Sequence, residues 1–242
     1  MEEKGNTSAL RQLYKFTMTG IALTALVISS LTVFTHADSI NPGVFSKDSS
    51  PYGIPYKEWI TRWWQWHISI PKEDHPWKDS TGEKCAVGQE GPVWFLNYPP
   101  GKVELTCAMP PGKAILFPIL SGECDYGTEN TDAEVRMCAT EGNEFGVISA
   151  TIDGVRLQNL ERYRIQSDFF NITIPEDNIY DADPGTFKAM VDGFFVFLEP
   201  LPAGRHDIHF TVSVSNPFNP EFDHAKDTTY HLIIANPTNS TK

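Results

Sequence analysis

The sequence predicts a mainly β protein: an antiparallel β-sandwich or jelly-roll-like domain with one amphipathic Trp-rich helix and one short helix, behind an N-terminal transmembrane or signal helix. Short apolar runs separated by Gly, Pro, Asn and Asp fill the chain from Val93 onward, the pattern of many short strands joined by turns. A single strong helical periodicity precedes them, between Tyr56 and Ile70. A charge-free apolar stretch of 19 residues, Phe16 to Phe34, stands near the start.

The N-terminal stretch is read by its flanks. Lys4, Arg11 and Lys15 precede it and the first charge after it is Asp38, which orients the N-terminus to the cytoplasm. Thr35-His36-Ala37 offers small residues at the −3 and −1 positions of a signal-peptidase site. The stretch is longer than an ordinary signal core of roughly 7–15 residues and close to the roughly 20 of a spanning helix. Cleavage near Ala37, giving a secreted domain, and a retained membrane anchor therefore both stand. The expected organisation is 1–37 signal peptide or anchor, 38–52 linker rich in Ser, Asp, Asn, Gly and Pro, 53–236 β-sandwich and 237–242 tail.

In the helix, spacing at 100° per residue gathers Tyr56, Trp59, Ile60, Trp63, Trp66, His67 and Ile70 into an arc of about 160°. Pro55 and Pro71 bracket it, and Ile68 falls outside the arc. Strands are expected over 93–96, 103–107, 114–119, 147–152, 155–157, 169–174, 190–198, 206–214 and 228–235. Asp153-Gly154 reads as a type I′ hairpin turn. Thr131 and Glu134 form a capping box that opens a short helix over 131–139.

Composition limits function. The net charge of −12, from 19 Lys+Arg against 31 Asp+Glu, excludes the basic surface that phosphate binding requires, so no nucleic-acid partner is expected. Cys85, Cys107, Cys124 and Cys138 all lie on the exported side and are spaced by 22, 17 and 14 residues. They lack the close pairs of zinc sites and predict two disulfides in an oxidising compartment. Of three connectivities, Cys85–Cys107 with Cys124–Cys138 is preferred because each closes a short local loop. Asn171 and Asn239 head N-glycosylation sequons.

Candidate sites are few. Five of the six tryptophans fall between Trp59 and Trp77. The cluster reads first as core that cements the helix to the sheet, with Trp59 and Trp63 mid-arc; Trp64 and Trp66 at its two edges are the candidates for a ring left open to stack on a glycan or to meet a membrane surface. His67 points to the centre of the apolar face, as a neutral hydrogen-bonded core histidine. A metal site would draw on His206, His209 and His231 of the last two strands, or on Asp181 and Asp183 in a loop that resembles the start of a calcium loop. His206 and His209 are three apart and face opposite sides of a strand. No cofactor is expected beyond such a calcium or transition-metal ion, and no Gly-x-Ser-x-Gly elbow, His-Glu-x-x-His or phosphate loop is present.

Tyr56-Lys57-Glu58-Trp59-x-x-Arg62-Trp63-Trp64-Gln65-Trp66 is followed by Ser80-Thr81-Gly82-x-x-Cys85-Ala86-x-Gly88-Gln89-x-Gly91-Pro92-Val93-Trp94-Phe95-Leu96. With Gly204-x-His206-x-Ile208-His209-Phe210 and Thr229-Tyr230-His231-Leu232, these segments resemble a family of exported prokaryotic proteins with a Trp-rich helix. The resemblance spans most of residues 52–235. It implies export and carries no reaction, ligand or site residue; His67 stands where that family has a small apolar residue. The expectation is an extracytoplasmic envelope or surface module without enzymatic activity, bound to the membrane through its N-terminal helix or released, whose partner is a cell-surface glycan or an envelope protein. The alternative is an extracellular hydrolase using a metal or paired carboxylates.

Overall fold

The computed structural model describes residue 41 and residues 43–236. The expected signal or anchor helix, most of the linker's first residues, the 237–242 tail and the Asn239 sequon lie outside them. The chain forms ten strands and two α-helices among the described residues. The Trp-rich helix α1 covers Tyr56–Ser69 and the short helix α2 covers Asp132–Glu141. The strands are β1 (Val93–Phe95), β2 (Gly101–Met109), β3 (Ala114–Asp125), β4 (Gly146–Ile152) and β5 (Val155–Arg156), then β6 (Arg164–Gln166), β7 (Phe170–Ile174), β8 (Gly185–Leu198), β9 (Gly204–Val214) and β10 (His224–Ile234).

They build a mainly β, two-sheet sandwich. One sheet has the order β1-β3-β8-β6, with β7 also paired to β8; the other has the order β2-β10-β9-β4-β5. It is not wholly antiparallel, which corrects that part of the expectation. β1 pairs parallel to β3, and β2 parallel to β10. The cause is connectivity: β2 lies in the opposite sheet from β1 and β3, so the chain leaves the first sheet and re-enters it in the same direction. Other departures are local. β3 runs on to Asp125, six residues past its expected end, β6 is only Arg-Ile-Gln, too short for periodicity, and β8 starts earlier than expected because its first residues, Gly185 to Lys188, alternate half-buried with exposed.

The first sheet is covered on both faces, which explains why β8 is buried without interruption from Ala189 to Leu198. On one face Phe117 stacks on Phe210 of the second sheet, with ring centroids 5.1 Å apart. On the other, α1 lays Tyr56 and Trp59 on Phe197 and Trp63 on Phe195. Three helix tryptophans spend their N–H groups on backbone carbonyls: Trp59 on Pro51, Trp63 on Leu96 and Trp66 on Val87. Ile68, outside the arc, is buried in a second cluster with Ile172, Ile174 and Ala189, because β7 covers that flank of the helix.

Both disulfides form in the preferred connectivity. Cys85–Cys107 ties the segment before β1 to β2, and Cys124–Cys138 ties β3 to α2, with Cα atoms 5.9 and 6.0 Å apart. They place the domain in an oxidising compartment. The capping box opens α2, with the Thr131 hydroxyl accepting from the Glu134 N–H. Asp153 and Gly154 both take positive φ in the β4–β5 turn, as a type I′ turn requires.

One irregularity decides what the first sheet offers its helix layer. The β3–β8 register shifts between Pro118 and Leu120. Proline has no N–H to donate to the ladder, so a proline inside a central strand belongs at such a bulge. β8 keeps its alternation, and β3 changes face. Phe117 points to the second sheet, and Leu120, three residues on, also does so, lying where a side chain on Gly146 of β4 would meet it. Ser121, Glu123 and Asp125 are thereby turned to the side of α1. Gly193 lies opposite the new register, paired to Ser121, and a Cβ there would come within 2.5 Å of the Ser121 Cβ and 2.6 Å of the Leu120 carbonyl oxygen. Gly193→Ala is expected to cost about 1–3 kcal/mol, the price of overpacking, read as a lower urea midpoint; an unchanged midpoint would contradict this account of the bulge.

Candidate functional site

A cleft of about 400 Å³ opens beneath the C-terminal half of α1. Trp64 and Ile68 come from the helix, and Trp77 from a short 3-10 turn at Pro76–Lys78. Tyr98 follows β1, while Tyr180 and Ala182 lie on the β7–β8 connection. The floor is the end of β3, with Ser121, Glu123 and Asp125. Aromatic rings thus surround a polar floor, and the bulge is what aims that floor into the cleft.

The rim is held by two buried histidines and two buried asparagines. His75 accepts the Trp77 N–H at Nδ1 (3.0 Å), so its Nε2–H donates to the His67 carbonyl (2.8 Å), which fastens the Trp77 turn to the end of the helix. His67 stacks on Trp63 with ring centroids 4.9 Å apart and bonds both Asn97 and Tyr180. Asn178 organises the β7–β8 connection, accepting from the Tyr180 and Ala182 N–H groups and donating to the Pro175 and Ala182 carbonyls. Burial pushes His67 well down, with His75 and Lys226 adding to the effect, so it is neutral. His75 is lowered by burial as well.

Several polar groups in the cleft are unspent. The Trp64 Nε1, the Ser121 Oγ and the Glu123 Oε1 are excluded from solvent and have no hydrogen-bond partner among the described residues. Unpaired buried polar groups are uncommon in folded proteins, and three in one cleft mark it out. Burial, with the neighbouring Asp125 charge second, pushes the Glu123 carboxyl up to about 8, so it carries its proton at neutral pH. Asp125 is itself buried and accepts the Gly127 N–H at 2.6 Å. Burial raises Tyr98 to about 12. Tyr180 is raised too, by desolvation of its hydroxyl end although 43% of the residue is exposed, so both hydroxyls keep their protons.

The residues singled out from sequence fall in different places. Trp64, 5% exposed, lines the cleft, and its N–H has no partner among the described residues. Trp66, 7% exposed, lies in the core against Phe95, with its N–H taken by Val87. The three histidines are not brought together. His206 bonds Asp153 (2.7 Å), His209 bonds Asp227 (2.9 Å) and His231 bonds Asp207 (2.8 Å). Asp181 pairs with Lys72, and Asp183 is exposed. Among the described residues no three His, Cys, Asp or Glu side chains are arranged to hold a metal ion. Asn171 is exposed on β7. Glu123, Tyr98 and Tyr180 were not legible as site residues. The available signal was polar alternation at 121, 123 and 125 after the apolar run of β3, together with Pro118 inside that run.

Glu123 also carries a stability signature. Its folded carboxyl holds the proton more tightly than the unfolded one, whose midpoint is near 4.5. Its stabilising contribution is therefore complete below about pH 4.5 and is lost as pH rises to about 8. Glu123→Gln should match the wild type in acid and exceed it by about 1–3 kcal/mol at about pH 9, the cost of burying an uncompensated group. Urea midpoints of both proteins against pH check this; parallel curves across that window would refute it.

No family model and no curated protein matches the chain. A chain of the solved structure of PbICP-C in complex with falcipain-2 aligns with it at 10% identity and a TM-score of 0.22, covering 58% of this chain and 98% of that one. A likeness at that level assigns no function.

Proposed function

We propose that the domain is an extracytoplasmic binding module whose aromatic cleft takes a sugar ring of a cell-surface or envelope glycan. One observation carries the reading. Trp64, Trp77, Tyr98 and Tyr180 surround unpartnered polar groups of Trp64, Ser121 and Glu123. Sugar rings have apolar C–H faces that stack on aromatic rings and polar edges that need hydrogen bonds, and the cleft supplies both. Export, the two disulfides and the resemblance to exported Trp-helix proteins agree with such a role. The module is tethered by the 16–34 stretch or released by cleavage near Ala37.

A second reading has its own support. Glu123 holds a proton at neutral pH, and Asp125 stands two residues along the same strand, with Cα atoms roughly 6.5–7 Å apart at the usual strand rise. A proton-bearing acid beside a carboxylate is the arrangement of a glycoside hydrolase. It belongs to the alternative in which paired carboxylates, rather than a metal, do the work.

A single experiment separates the two. Intact protein in detergent is titrated with a panel of oligosaccharides by calorimetry, then incubated with the same sugars to look for cleavage. Binding without turnover, weakened about tenfold by Trp77→Ala through loss of a stacking face worth about 1–1.5 kcal/mol, is the expected result. Cleavage abolished by Glu123→Gln would make the site catalytic. Affinity for no sugar would overturn the reading.

A further inference from the structure

Resting on the sugar-binding reading, we infer that the cleft is lined by hydrogen-bond donors and selects an uncharged, carbonyl-bearing ring, an N-acylated amino sugar, with Glu123 and Tyr180 donating to the acyl oxygen. The direction of the hydrogen bonds follows from a chain of fixed partners. The Tyr98 N–H donates to the Asn97 Oδ1 (2.8 Å), which orients the amide and leaves its Nδ2 facing His67. Nδ2 donates to the His67 Nδ1 (3.1 Å), so the ring proton is on Nε2. That Nε2–H donates to the Tyr180 hydroxyl oxygen (2.7 Å). The hydroxyl oxygen is thereby occupied as an acceptor, and its own proton is left to donate into the cleft it lines. Trp64 Nε1 can only donate.

The charge of the lining sets the rest of the choice. Among the described residues no Lys, Arg or His lines the cleft, whereas Asp125 does. An anionic sugar would find no cation there. A neutral carbonyl meets donors without a charge to bury, and Ile68, Ile174 and Ala182 offer an apolar surface to an acyl methyl. The groups around Glu123 are Asp125 on its own strand, Tyr98 after β1, Tyr180 on the β7–β8 connection and, behind Tyr180, His67 of α1. Lys226 of β10, lowered to about 7 by burial, lies against the Tyr98 ring with its Nζ 3.7 Å from the centroid and does not line the cleft.

The test uses two probes that differ at one substituent: the β-1,4 trisaccharide of N-acetylglucosamine and that of glucose. Calorimetry on the intact chain in detergent is run at about pH 6.5 and about pH 9. The acetamido sugar should bind at least tenfold more tightly than the glucose sugar at the lower pH. Its affinity should fall about tenfold by the higher pH, because a single ionisation near 8 leaves about a tenth of the protein competent. Glu123→Gln, which keeps a donor at every pH, should bind at the lower pH and lose the pH dependence. Tyr180→Phe, which keeps the ring, should bind about tenfold more weakly. Equal binding of the two trisaccharides overturns the donor assignment while leaving a sugar site standing. A Glu123→Gln protein that still weakens at high pH moves the titration to another group, such as Lys226, and overturns the role of Glu123. If neither sugar nor any other oligosaccharide binds, the sugar-binding reading itself fails.

Discussion

The register shift in β3 is the constraint on which the candidate site depends. Without it, strand alternation would carry Ser121, Glu123 and Asp125 to the same face as Phe117, into the space between the two sheets. Three polar side chains there would have no partners. One extra residue, placed where Pro118 breaks the ladder, sends them to the side of α1 instead. The accommodation is mutual, because β8 supplies Gly193 opposite the new register.

The Trp-rich helix has a second role beyond cementing the sheet. Trp59, Trp63 and Trp66 fix its height and roll by burying their rings and binding backbone carbonyls. Trp64, one position along, is then held in the lining of the cleft, its N–H without a partner among the described residues. His67 lies at the centre of the same face, stacked on Trp63, and relays the orientation of Asn97 to Tyr180. Core packing and site geometry are therefore built from the same turn of helix, so a change at Trp63 reaches the cleft through His67.

Much of the frame was legible in sequence because it rests on strong local signals. The helical arc from Tyr56 to Ile70, the Asp153-Gly154 turn, the Thr131–Glu134 capping box and the short cysteine loops each follow from periodicity or turn chemistry. The parallel pairings of β1 with β3 and β2 with β10 were not legible, since strand alternation does not encode direction. The site was less so. Trp64 stood out as an edge residue of the helical arc, but Glu123 reads as an ordinary polar residue at a strand end until the bulge gives it a face. Trp66, at the other edge of the same arc, is core, because the segment around Val87 closes over it and takes its N–H. The histidines of β9 and β10 were separated by partners that spacing cannot foresee, each taking its own aspartate.

The central claim is that the cleft holds a half-buried carboxyl, one oxygen of it excluded from solvent and unpartnered, that keeps its proton at neutral pH, ready to donate. Carbon-13 NMR of the glutamate side-chain carboxyls in the intact protein measures this directly, with the Glu123 resonance assigned by its loss in Glu123→Gln. The account predicts a titration midpoint near 8 for that resonance. A midpoint near 4.5, the value of an ordinary glutamate, would contradict it.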